Sequence, residues 1–213
     1  KWRLGAWKDA NWPGSVVFHQ NRLTFGGSVD NPDTVWMSNS AEYRNFAPTE
    51  TNSTVLDTNA ITVTIAAQEV NTIQWMSSGP ILIIGTLAAE WEIKGTSVSA
   101  PLTPASIRIS EHTNFGSEKV APVKIDSSIL FVQRAGTKLR EFKYNFDIDA
   151  YVADDLTILA EHIIRDGTNV ESIAVQRSPE TLIWIARNDG VLVGLTYNRS
   201  QEITAFHRHK IGG

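Results

Sequence analysis

The residues able to do chemistry in this sequence fall into a few short clusters. His207 and His209, in AFHRHK, stand two apart, so on a strand their rings share a face and could close on one metal ion. Two imidazoles are not a complete ligand set, and no Asp or Glu lies within four residues of them. The ordinary reading is an exposed polar strand end beside Arg208 and Lys210. Glu111-His112 and Glu161-His162 repeat an acid–imidazole pair that general acid–base chemistry uses. Neighbours on a strand point to opposite faces, and on a helix Glu161 and His162 fall on the polar side, so both pairs read as solvated. Asp147, Asp149, Asp154 and Asp155, in FDIDAYVADD, could gather calcium. The run lacks the EF-hand ligand order and the bidentate Glu that completes it, so a charged turn followed by a helix cap is expected. In SVVFHQNRLTFGG, His19 and Arg22 flank Gln20-Asn21; they are expected to serve the turn or a subunit contact.

Seven tryptophans, Trp2, Trp7, Trp12, Trp36, Trp75, Trp91 and Trp184, offer stacking surfaces for sugar rings. Trp75, Trp91 and Trp184 fall in apolar strand patterns, where packing between sheets is the commoner use. The trio Trp2, Trp7 and Trp12 is the better candidate for a carbohydrate platform, and with the histidine pairs it supports an alternative reading as a carbohydrate-binding or glycan-acting β-propeller. No G-x-S-x-G, H-E-x-x-H or G-x-x-x-x-G-K-[ST] motif occurs. Asn52-Ser53-Thr54 and Asn198-Arg199-Ser200 match the glycosylation triplet, but no secretory signal accompanies them. The chain is read as a non-enzyme, with no catalytic, metal-binding or cofactor-binding residue assigned and no cofactor expected.

The elements that would position these residues recur. TIQWMSSGPILIIGTLAAEWEIKG, APVKIDSSILFVQRAGTKLREFKY and ESIAVQRSPETLIWIARNDGVLVGLTY follow one plan, and SVVFHQNRLTFGG with TVWMS is another copy. Turns are expected at Gln20-Asn21, Ser77 to Pro80, Asp126-Ser127, Ala135-Gly136, Ser178-Pro179 and Asn188-Asp189-Gly190, with residue types that tolerate positive φ or preset it. Further strands are expected at 60–66, 106–113 and 203–209, which alternate apolar and polar residues. Antiparallel blades of three to four strands, repeating about every 50 residues, are the signature of a propeller; a sandwich predicts no such recurrence. The fold class expected is all-β, a propeller-like array, and 1–213 is read as a single such domain. DDLTILAEHIIRDG breaks the rhythm: Leu156, Leu159, Ala160, Ile163 and Ile164 have helical spacing. A short helix is therefore expected near 154–165, of about three turns, capped by Asp154 or Asp155 and closed by Arg165 and Gly167. Residues 39–59 and 95–105, rich in Ser, Thr, Asn and Pro, read as surface excursions.

With 213 residues, 42% apolar and 20% charged, the chain has an ordinary globular composition and can bury a substantial core. Its net charge of −4, without a basic run, makes it a poor candidate for gripping nucleic acid through counterion release. The absence of cysteine removes disulfides, thiolate catalysis and Cys-type zinc sites, and fits assembly in a reducing cytoplasm. No apolar run reaches membrane-spanning length; the longest, at 80–89, is interrupted by Gly85. The start KWRLGAWKD, with neither methionine nor signal-peptide pattern, reads as the cut end of something longer.

The order of these segments resembles a known family. WRLGAW, then GSVVFHQNRLTFGGS leading to TVWMSNSAEYRNF, looks like the opening motif of tail nozzle (tail tubular protein B) proteins from short-tailed bacteriophages. VNTIQWMSSGPILIIGTLAAEWEI, ILFVQRAGTKLREFKYNFDIDAYVADDLTILAEHII and GVLVGLTYNRSQEITAFHRH continue the likeness in the same order over nearly the whole chain. The resemblance implies a virion structural protein with a β-propeller part, built into the phage tail after assembly in the host cytoplasm. It implies a homo-oligomeric ring, usually a hexamer, that forms the wall of the DNA-ejection channel beside the tail adaptor and tail fibre proteins. Double-stranded DNA would pass transiently and without sequence reading. Family proteins are longer, so the chain is expected to be a fragment that lacks outer domains and part of the propeller. The family brings no catalytic residues to carry over.

Overall fold

A computed structural model describes residues 7–66, 71–164 and 169–210. Among the described residues the chain is all-β apart from one short helix and a single 3-10 turn, and it forms four antiparallel sheets of four strands each. The strands of every sheet follow one another in chain order, as in a propeller blade. The chain divides into two compact units, one ending at Asn114 and the other starting at Phe115.

The first unit holds two sheets. One is β1 (Ser15–His19), β2 (Arg22–Gly26), β3 (Thr34–Met37) and β4 (Ile61–Thr64); the other is β5 (Ile73–Ser78), β6 (Leu82–Thr86), β7 (Glu90–Lys94) and β8 (Arg108–Thr113). Along β1, Val16 and Phe18 point outward while Val17 and His19 point in, the period-two alternation of a half-buried strand. The inward faces share a core of Val35, Met37, Ile61, Ile73, Leu82, Ile84 and Ile93. Each fully buried side chain of this size stabilises the fold by roughly 1.5–3 kcal/mol. The first strands of the two sheets are neighbours, β1 against β5. On the outer face of the first sheet Trp7 packs edge-on to Phe25, Trp36 and Phe46, at 4.7, 5.6 and 5.2 Å between ring centroids.

The second unit repeats the plan. Its sheets are β9 (Val123–Ile125), β10 (Ser128–Val132), β11 (Leu139–Asn145) and β12 (Ala150–Asp155), then β13 (Val170–Gln176), β14 (Leu182–Arg187), β15 (Val191–Asn198) and β16 (Ile203–Lys210). Leu130, Val132, Leu139, Ile183, Ile185, Val193 and Leu195 make the shared core, joined by Ile164. Again the first strands, β9 and β13, are neighbours. Blades converging on an axis bring their first strands together in this way. Five of the six expected turns join strands at the expected residues; the one expected from Ser77 to Pro80 starts only at Gly79, because Ser77 and Ser78 pair with β6 as the end of β5. The three outlying strand candidates are β4, β8 and β16.

The expected three-turn helix shrinks to α1 (Glu161–Ile164). Strand pairing claims the start of that segment, because Arg140 on β11 is opposite Asp155 on β12. The Asp155 carboxylate then accepts hydrogen bonds from the backbone N–H and the hydroxyl of Thr157, at 2.8 and 2.5 Å, and these fold the chain into turns through residue 160. The aspartates therefore end a strand and do not cap a helix; Arg165 and Gly167 lie outside the described residues.

Candidate functional site

The most concentrated polar constellation of the first unit is the β1–β2 hairpin, where the sequence sets His19 and Arg22 around a two-residue turn. Gln20 and Asn21 both have positive φ, 43° and 58°, the backbone of a tight primed hairpin turn. This register pairs His19 with Arg22 on the inward face, where each is 2% exposed. Nδ1 of His19 lies 2.9 Å from the Ser78 hydroxyl at the end of β5. The Arg22 guanidinium donates to backbone carbonyls throughout: Nη1 to Ser38 and Asn59, both at 2.7 Å, and Nη2 to Asp57 at 2.8 Å. A longer bond reaches Leu102 at 3.4 Å. Burial pulls the guanidinium pKa below its ordinary value.

The turn residues join in. The Gln20 side-chain oxygen accepts from the Leu102 N–H at 2.7 Å, and that of Asn21 accepts from the Tyr43 hydroxyl at 2.7 Å. One hairpin thereby fixes both long excursions, 39–59 and 95–105, to the sheets. Between them an open cleft of about 540 Å³ is lined by Gln20, Arg22, Asp57, Pro101 and Leu102 among others. A guanidinium held by neutral carbonyls has no base or nucleophile to activate. His19 and Arg22 are too deeply buried to make a subunit contact themselves; Arg22 organises loops, while His19 ties the hairpin to β5.

A second constellation joins the two sheets of the other unit. Glu141 on β11, 2% exposed, accepts a 2.6 Å hydrogen bond from the Tyr197 hydroxyl on β15 and is 3.1 Å from Lys143. Burial pushes the Glu141 carboxyl up, but hydrogen bonds from Tyr197, Ser128 and Lys143 outweigh this and hold it below the ordinary carboxylate range. Burial together with the adjacent carboxylate raises the Tyr197 phenol well above the usual tyrosine range. Nearby, Tyr197, Arg199, Asp126 and Glu180 contribute to a cavity of about 350 Å³.

The sequence candidates disperse. His207 and His209 do share a face, with ring centroids 4.8 Å apart, and the second lies 5.4 Å from Trp184. Among the described residues no group of three His, Cys, Asp or Glu is placed to hold a metal. Glu111 is exposed on one face of β8, whereas His112 turns to the other and meets Glu92 at 3.1 Å. His112 is thus half-buried against a carboxylate and not solvated. Burial pushes the Glu92 carboxyl up, yet the His112 and Lys94 contacts bring it below the ordinary range. Glu161 lies 3.5 Å from Lys138, and His162 is exposed.

The acidic run does not converge either. Asp147 and Asp149 sit at the β11–β12 tip, while Asp154 and Asp155 pair with Lys143 and Lys138, at 2.6 and 2.8 Å, at the other end of β12. Trp7 is committed to its aromatic cluster, Trp12 stands 65% exposed, and Trp2 lies outside the described residues, so the described pair forms no platform. Trp36, Trp75 and Trp91 are buried. Asn52 and Asn198 both turn their side chains back onto their own backbone.

The sequence reading missed Glu141, Tyr197 and Glu92, each of which has a partner on another strand. Glutamate inside a buried-strand pattern, as in LREF and EWEI, is the one signal that marked the two carboxylates.

Comparison with known proteins gives one family and a set of solved structures, among them two of distant likeness. The family model described as bacteriophage nozzle protein matches residues 14–192, from the start of β1 into β15. No curated protein matches the chain. A luciferin-regenerating enzyme structure is similar at 9% identity and TM-score 0.33, over 90% of this chain and 73% of that one. A protein from Lactobacillus plantarum is similar at 10% identity and TM-score 0.43, over 92% of this chain and 70% of that one.

Proposed function

The chain belongs to the bacteriophage nozzle protein family, and from that premise we propose that it is a wall element of the DNA-ejection channel in a short-tailed phage. The family is one of phage tail structural proteins, so the chain is a tail component of the virion. In this reading the two units are parts of one propeller-like domain. Copies stand in a ring, with adaptor and tail fibre proteins as partners, and double-stranded DNA passes through it. Assembly takes place in the host cytoplasm, and no reaction is catalysed.

The observation that carries the reading is the family match through three complete sheets and into the fourth. Two physical features support it. The buried charged groups described above are engaged in building: Arg22 anchors loops through backbone carbonyls and Glu141 ties two sheets together. A wall along which a polyanion slides should also avoid dense cationic contacts, and a net charge of −4 with interspersed signs meets that need.

Immunogold labelling of purified virions, against a tag inserted in the exposed turn at 51–53, tests the reading. Label at the distal tail is expected. Label on the capsid, or none on intact particles that contain the tagged chain, overturns it.

A further inference from the structure

The second unit carries a protruding apolar knob and, at the opposite end of one strand, an apolar groove. The knob is the β11–β12 tip, where Phe146 is 88% exposed and Ile148 60%. It is braced: Asn145 accepts from the Asp147 N–H at 2.9 Å, the Tyr144 hydroxyl bonds Asp149, and Tyr151 stacks on Phe142 at 4.9 Å. Two bare apolar side chains held on an ordered tip lose little entropy on docking. The groove, about 480 Å³, is lined by Leu156, Ile158, Leu159, Ile163 and Phe206. Its volume falls within the roughly 300–1,000 Å³ of pockets that take up a ligand-sized group.

We propose that the Phe146–Ile148 tip of one copy seats in the Leu156–Phe206 groove of the next, a head-to-tail contact between copies of this chain. The six residues of β12 separate knob from groove, about 20 Å at the rise of an extended strand, so a copy cannot fill its own groove. Charge favours the pairing. Asp147 and Asp149 flank the knob, while Arg208 stands at the groove's margin on the His162 carbonyl, and the one carboxylate in the groove lining, Asp155, is already paired with Lys138 at 2.8 Å. A patch that fits a different patch on an identical copy is a heterologous contact, which closes into a ring when the rotation allows. The contact rests on the reading of the chain as a ring-forming wall element and supplies that reading with specific residues.

The parent sequence has no cysteine, so cross-linking of the full chain reports the contact directly. Under copper phenanthroline oxidation, a chain carrying both Phe146→Cys and Leu159→Cys is expected to give a ladder of multimers. Each single substitution alone should give no cross-link, and their mixture a dimer. In sedimentation velocity, Phe146→Asp in the otherwise natural chain should weaken self-association about thirtyfold, as loss of a hot-spot side chain does. At a dilution where the chain is monomeric its melting temperature should not move, because the side chain is exposed. A ladder that stops at dimer, a single substitution that cross-links to itself, or unchanged association of Phe146→Asp each overturns the contact. So does a monomeric chain whose tip is protected from hydroxyl radicals only when another tail protein is added. Rings that persist in Phe146→Asp would remove this contact while leaving the wall reading intact; virion labelling away from the tail would remove that reading.

Discussion

The carbonyl oxygen of Asn59 lies 2.7 Å from Nη1 of Arg22, across 37 residues of chain. Asn59 in turn holds its own loop, accepting from the Leu56 N–H at 2.6 Å and donating to Glu50 at 2.7 Å. One buried cation therefore sets the path of an excursion without strand or helix of its own. A guanidinium suits this because its planar fork reaches several carbonyls at once, which a single ammonium cannot.

Replacing Arg22 by Met should destabilise the first unit by about 3 kcal/mol or more, since several buried carbonyls lose their donor together. Arg22→Lys should recover only part of this. Urea unfolding gives the magnitude. Limited proteolysis should show new cleavage within 39–59, and an unaltered digestion pattern would contradict the anchoring role.

Gly85 on β6 exists for the indole above it. A Cβ built at Gly85 would stand 2.1 Å from the Trp75 ring, which is itself 3% exposed. Gly85→Ala should therefore cost about 1–3 kcal/mol, the range for overpacking a core. In the background Trp75→Leu the same alanine should be nearly neutral. A double-mutant cycle by thermal unfolding measures the coupling, and additive effects would show that the close approach relaxes freely.

The meanders are legible in the sequence because each strand needs its apolar side chains on one face and each hairpin needs turn residues at a fixed place. ILFVQ, LIWIA and VLVGL announce themselves for that reason. β12 is not legible. Its AYVADD carries two aspartates that look like a helix start, and the lysines that neutralise them stand on β11 and in the turn before it. Arg22 is equally opaque: next to Gln20 and Asn21 it reads as serving the turn or a subunit contact, because carbonyls 16, 35 and 37 residues away leave no mark in composition. The scattering of the candidate histidines and carboxylates has the same cause. Neighbours in sequence alternate faces on a strand, so nearness along the chain does not gather them.

Tyr197→Phe should weaken the joint between the third and fourth sheets. It removes the hydroxyl that donates to Glu141 and leaves a buried carboxylate with one partner fewer, at a cost of about 1–3 kcal/mol. Glu141→Gln keeps an acceptor oxygen for the phenol and should be milder than Glu141→Ala. Equilibrium unfolding of the three variants checks the order, and equal losses for Gln and Ala would deny the hydrogen bond its part.

Acid should unfold the chain through the same group. The ordinary value for Glu141 is 4.5, and its pKa in the fold is lower. Above pH 4.5 the carboxylate is ionised in both states and its contribution to stability is complete. As the pH falls through that value the unfolded chain binds a proton first, which draws the equilibrium toward unfolding. The loss continues until the folded carboxyl also protonates. Glu92 and Asp155, likewise held low by hydrogen-bonded cations against the opposing effect of burial, add to the same slope. Urea midpoints measured in steps from about pH 6 to pH 3 should therefore decline below the ordinary carboxylate value, and Glu141→Gln should flatten that decline. An equally steep decline in Glu141→Gln would assign the acid sensitivity to other carboxylates.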